Sequence, residues 1–107
     1  MRLDLALVGP QSWERMCVLS PYSNNQRANQ ILGFDWDAER HTVISSSDAI
    51  NVLVFIRGNE VVAYDDVLRS RADFADLDPP CVTRSTSVLV RKPGSSGWQS
   101  FVVQEKA

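Results

Sequence analysis

Three kinds of side chain in this sequence could do chemistry: a single histidine, two cysteines and several closely spaced carboxylates. A serine or cysteine nucleophile needs a base within hydrogen-bond reach, and His41 is the only residue suited to that near neutral pH. Cys17, Cys81 and many serines are available to it, but no GxSxG elbow or cysteine-protease signature selects one. Flanked by Glu39 and Arg40, His41 reads as a structural or surface histidine. Cys17 and Cys81 stand 64 positions apart with no CxxC pairing and no histidine beside either, so neither zinc nor a redox motif is signalled. The expectation is two separate, small buried hydrophobes, as isolated cysteines are in a reducing compartment; spacing alone leaves a disulfide open.

The carboxylates offer pairs at Asp35 and Asp37, at Asp65 and Asp66, and at Asp73 and Asp76. Two held together can serve as acid and base or bind a hard cation. Asp35-x-Asp37-x-Glu39 begins like a calcium loop, yet the sixth position is Arg40 where glycine is required, and the twelfth is Ser46 where glutamate is required. Gly94-Ser95-Ser96-Gly97 lies between strand-like segments and lacks the helix and the Gly-Lys-Ser/Thr ending of a phosphate loop. No catalytic residue, metal or cofactor is therefore expected.

What remains is surface chemistry. Trp36 stands between Asp35 and Asp37, and a large ring between two ionised acids is hard to bury completely. Tyr64 followed by Asp65 and Asp66 repeats the combination. Aromatic anchors within a charged rim are what protein interfaces use for affinity and steering; the competing reading is that Trp36 folds back to plug a sheet while its neighbours face water. The charge distribution fits the first: the net charge is −2, but residues 35–78 alone carry −6, against +1 before them and +3 after them. Nucleic-acid binding calls for clustered Lys and Arg, which an acidic chain with only two lysines does not provide. An acidic surface attracts a basic partner instead.

These groups sit on a chain of 107 residues, the size of one domain spanning 1–107, with 44% hydrophobic and 22% charged residues, as in ordinary globular proteins. The longest apolar run, Val52 to Ile56, is far too short to cross a bilayer. The start of the chain lacks the basic region, apolar core and cleavage site of a secretory signal, so a cytoplasmic location is expected.

Arg2 to Val8 alternates as a strand. Pro10 can open a short helix carrying Trp13, Met16, Cys17 and Leu19, and a second helix is predicted over Asn24 to Leu32, with Ser23 and Gln26 as a capping box and Gly33 at its end. Phe34 to Arg40 reads as a loop, His41 to Ile44 as β-type, and Ser45 to Asp48 as a turn. Asn51–Arg57 and Glu60–Asp66, separated by Gly58 and Asn59 alone, predict a tight hairpin, central because both faces of its first strand are apolar. Ser70 can cap a turn holding Phe74 and Leu77 while Asp73, Asp76 and Asp78 stay wet; Pro79-Pro80 stops it. Cys81 to Arg91 and Trp98 to Gln104 then form a second hairpin around residues 92–97.

The sum is an α+β fold, two short N-terminal helices packed on one face of a mostly antiparallel sheet of five or six strands. Its expected function is that of a small acidic, non-enzymatic protein-binding domain, a bacterial immunity protein or antitoxin inhibiting a toxic enzyme, with a basic toxin or effector as partner and neither nucleic acid nor membrane. The residues expected to carry binding are Asp35, Trp36, Asp37, Glu39, Tyr64, Asp65 and Asp66. Two alternatives stand beside it: a small enzyme or ligand-binding domain with a pocket near His41, and an accessory subunit that forms a homodimer through a strand edge or the apolar hairpin face.

Overall fold

A computed structural model describes residues 2–4, 13–70, 73–74, 77, 79–83, 88–93 and 99–103. Among the described residues, seven strands and two helices follow in the order β1 (Arg2–Asp4), β2 (Arg15–Leu19), α1 (Asn25–Leu32), α2 (Ala38–His41), β3 (Ile50–Arg57), β4 (Glu60–Leu68), β5 (Cys81–Thr83), β6 (Val88–Pro93) and β7 (Gln99–Val103). A single 3-10 turn, Ile44–Ser46, lies between α2 and β3. The α+β class holds, but the strands form two antiparallel sheets, β4-β3-β2-β5 and β1-β6-β7, where one sheet of five or six was expected. The helices come after the first two strands.

The helix expected from Pro10 is in fact β2. Met16, Cys17, Val18 and Leu19 are all buried, because β2 runs between β3 and β5 and is covered on both faces. A short continuous apolar run has the same signature in a buried strand and a buried helix. Similarly, Cys81 to Arg91 is not one strand: β5 joins the four-stranded sheet and β6 the other. The predicted β6–β7 hairpin does form, with Val90 opposite Val102. The remainder of the expected Arg2–Val8 strand, the 94–97 loop, Asp76 and Asp78 lie outside the described residues.

Helix α1 is where the pattern put it, with a different cap. The side-chain oxygen of Asn24, not Ser23, accepts from the Arg27 N–H at 2.9 Å, and the Ser23 hydroxyl donates to the Ser20 carbonyl at 2.7 Å. Gly33 closes the helix at φ 83°, where its N–H donates to the Asn29 carbonyl. The β-type reading of His41–Ile44 is replaced by the end of α2 and the 3-10 turn, since Asp37 caps the Arg40 N–H at 3.3 Å and starts a helix.

Only the first strand of the β3–β4 hairpin is central: β3 is buried between two neighbours, whereas β4, expected to be central with it, is the outer strand of the four-stranded sheet and carries exposed charges. Strand β3 alternates between two cores. Val52, Val54 and Ile56 pack with Cys17, Leu19, Ala28, Leu32, Ala38 and Ile44 under the helices. Leu53 and Phe55 pack with Trp13, Met16, Val18, Phe74, Leu77 and Val82 on the opposite face. The Trp13 and Phe55 rings meet at 5.7 Å. Burying each such side chain contributes about 1.5–3 kcal/mol, so these two layers are the main stabilising term.

Phe74 and Leu77 enter the core as expected, but Asp73 does not stay wet. It is 1% exposed, held by a two-pronged Arg69 guanidinium at 3.0 and 3.2 Å and by the Asn51 amide at 3.0 Å. A buried carboxylate is tolerable only with such partners.

Candidate functional site

The segment between Gly33 and α2 is lashed to α1 by two asparagines one helical turn apart. Asn29 accepts the Trp36 N–H at 2.9 Å and donates to Asp35 at 3.3 Å. Asn25 donates from its amide to Asp37 at 2.9 Å, and its carbonyl oxygen accepts the Glu39 N–H at 2.9 Å. The Glu39 carboxylate returns the bond by accepting the Asn25 N–H at 2.9 Å. Asp35, Asp37 and Glu39 therefore have structural work as well as charge, while remaining exposed.

This scaffold fixes a cluster of three rings. Trp36 and His41 stack at 5.0 Å with 21° between planes, and Tyr64 closes on both, 5.3 Å from Trp36 and 5.6 Å from His41. The inner part of Trp36 rests on the core beneath the helices, whereas His41 is exposed and Tyr64 is 42% exposed. Trp36 is thus half-buried, packed against the core without being enclosed by it. The His41 Nδ1 lies 2.8 Å from the Asp37 carbonyl oxygen, which can only accept. Nδ1 therefore carries the proton, and in the neutral ring Nε2 holds the lone pair.

A bulge decides which face Tyr64 joins. Ile56 is opposite Val61 and Phe55 opposite Ala63, leaving Val62 as the extra residue. Val62 and Ala63 both pack on the face away from the helices, after which the alternation is inverted. Tyr64 and Asp66 thereby turn towards the helices, and Asp66 accepts from the Thr42 hydroxyl at 3.1 Å. Leu68, 48% exposed, continues this row. Asp65 is opposite Leu53 and belongs to the other face. The structure accordingly gathers Asp35, Trp36, Asp37, Glu39, Tyr64 and Asp66, and separates Asp65 from them.

A shallow hollow of about 300 Å³ lies beside the cluster, lined by Asn25, Asn29, Asp35, Trp36 and Asp37. His41 is not on its wall. Among the described residues no group of three or more His, Cys, Asp or Glu could hold a metal ion. No described helix is long and apolar enough to cross a membrane.

The cysteines overturn the sequence reading. Cys17 and Cys81 are directly opposite on β2 and β5 and joined by a disulfide. Nothing in their local spacing signals this, because the pairing is set by the register of two strands distant in sequence. His41 participated in the sequence argument while Asn25, Asn29 and Thr42 did not; the helical spacing of four between the two asparagines was the available signal.

Comparison with protein-family models, curated proteins and solved structures gives no match. Function rests on the geometry.

Proposed function

We propose that this chain is a non-catalytic protein-binding domain that presents its acidic, ring-bearing patch to a basic protein, in the manner of an immunity protein or antitoxin occupying the cationic cleft of a toxic enzyme. The observation that carries this reading is the Trp36–His41–Tyr64 cluster, pinned by α1 and open at its Tyr64 and His41 side, with Asp35, Asp37, Glu39 and Asp66 around it. Rings fixed in advance lose little entropy on binding, and carboxylates around them steer a cationic partner. Phosphate-binding clefts are basic, so carboxylates can stand where substrate phosphates would sit. Neither nucleic acid nor membrane is a partner under this reading. A cytoplasmic location is part of it, and requires the disulfide to persist or cycle there.

The test is capture from the native lysate by immobilised wild type, Tyr64→Ala and the doubly reversed Asp35→Lys/Asp37→Lys chain, followed by an activity assay on the captured protein. The reading predicts one protein held by wild type, lost with charge reversal and at high salt, and inhibited while held. Equal capture by all three chains, or a captured enzyme that remains fully active, overturns it.

The margin of the four-stranded sheet at β4 favours a second reading, assembly with another copy of the chain. Glu60, Asp65 and Asp66 on that strand oppose it by like charge. A monomer mass at high concentration and high salt, where repulsion is screened, eliminates it.

A further inference from the structure

The disulfide crosses from a fully buried strand to a margin. Cys17 has no exposure, whereas Cys81, on the three-residue edge strand β5, is partly exposed. The Val18 N–H donates to the Pro80 carbonyl at 2.8 Å, which makes the next pair, Cys17 and Cys81, one without mutual backbone hydrogen bonds. Pro80 has no N–H to return that bond, so the ladder holding β5 is thin at this end. Beside the bridge lies Arg15, its Nη1 3.8 Å from Cys17 Sγ and its Nη2 donating to the Leu32 carbonyl at 2.6 Å. A cation there stabilises a thiolate on Cys17, and a better-stabilised thiolate leaves faster.

We propose that Cys17–Cys81 is a site of thiol–disulfide exchange whose co-substrate is a dithiol, with Cys81 as the sulfur attacked, Cys17 as the leaving group and Arg15 as the residue that receives its charge. A thiolate of the dithiol forms a bond to Cys81 Sγ as the Cys17–Cys81 bond breaks, and the electron pair departs on Cys17. The second thiol of the dithiol then displaces Cys81, so the protein gains two thiols and the dithiol becomes a disulfide. Displacement at sulfur proceeds from the side opposite the leaving group. Among the described residues β5 is the outer strand of its sheet, so for attack on Cys81 that side faces away from the sheet, with the Ile31 carbonyl 3.4 Å from the sulfur, and for attack on Cys17 it faces β3. Reduction releases β5 from its covalent tie and leaves one margin of β2 unpaired.

The experiment uses the intact oxidised chain. A brief pulse of glutathione, quenched with acid and mapped by mass spectrometry, is expected to place the mixed disulfide on Cys81 and the free thiol on Cys17; glutathione on Cys17 overturns the proposal. Reduction by dithiothreitol is then timed for wild type, Arg15→Lys and Arg15→Met. The expected result is about three- to tenfold slowing in Arg15→Met and near wild-type rates in Arg15→Lys. Equal rates in all three overturn the role of Arg15. Because Arg15→Met also loses a hydrogen bond to α1, a third measurement needs no substitution: on reduction, amide exchange at Val18 is expected to accelerate while Val54 stays protected. Unchanged protection at Val18 overturns the release of β5.

Discussion

At the scale of single residues, exposure and partnering separate those that hold the molecule together from those free to meet something else. Tyr64 contributes a ring edge to the patch and is 42% exposed. Replacing it with alanine is expected to change stability by less than about 1 kcal/mol while weakening partner binding by about 2 kcal/mol, some 30-fold, measurable by urea denaturation and by calorimetry. Asp73 is the opposite case. Asp73→Ala removes the acceptor of the Asn51 amide and the carboxylate that faces the Arg69 guanidinium, and is expected to cost about 3 kcal/mol in urea denaturation. Sequence reading singled out Trp36 and Tyr64 because aromatic-acid adjacency is local, while their meeting at 5.3 Å is a product of the fold. It misplaced Asp73, since a carboxylate reads as solvated unless its cation is seen, and Asn51 reaches it only through folding.

Elements were legible wherever the governing interaction is short in sequence. The β3–β4 hairpin follows from Gly58-Asn59, and α1 from its polar start and Gly33. Replacing the true cap in Asn24→Ala is expected to cost about 1 kcal/mol, against a smaller loss for Gln26→Ala, whose capping-box role the structure does not use. What escaped was set by distance. The β2 strand is defined by neighbours on both sides, and the Val62 bulge has no residue signature among Val61, Val62 and Ala63, yet it turns Tyr64 to the helical face. Deleting Val62, the extra residue, leaves Ala63 opposite Phe55 and Tyr64 opposite Val54, so magnetisation transfer between the Tyr64 and Trp36 ring protons is expected to survive. Loss of that signal in a folded deletion variant rejects Val62 as the extra residue.

For the molecule as a whole, the α+β class was readable from strand and helix content, but its division into sheets of four and three strands was not. The two candidate strands after Pro80 look alike in composition and differ only in which partners they find. The disulfide is a property of this scale too. Closing a loop of that span removes denatured-state entropy equivalent to about 4 kcal/mol, so reduced protein is expected to unfold at a markedly lower urea midpoint than oxidised protein. Coincident midpoints reject that contribution.

The bond between positions 17 and 81 also makes a closed circuit of the peptide, with both helices and the β3–β4 hairpin strung along it. A protease that nicks the exposed tip at Gly58 and Asn59 therefore yields no separate pieces. The nicked particle stays one covalent body, still stitched at its far side, and falls into two polypeptides only when a reductant follows the protease.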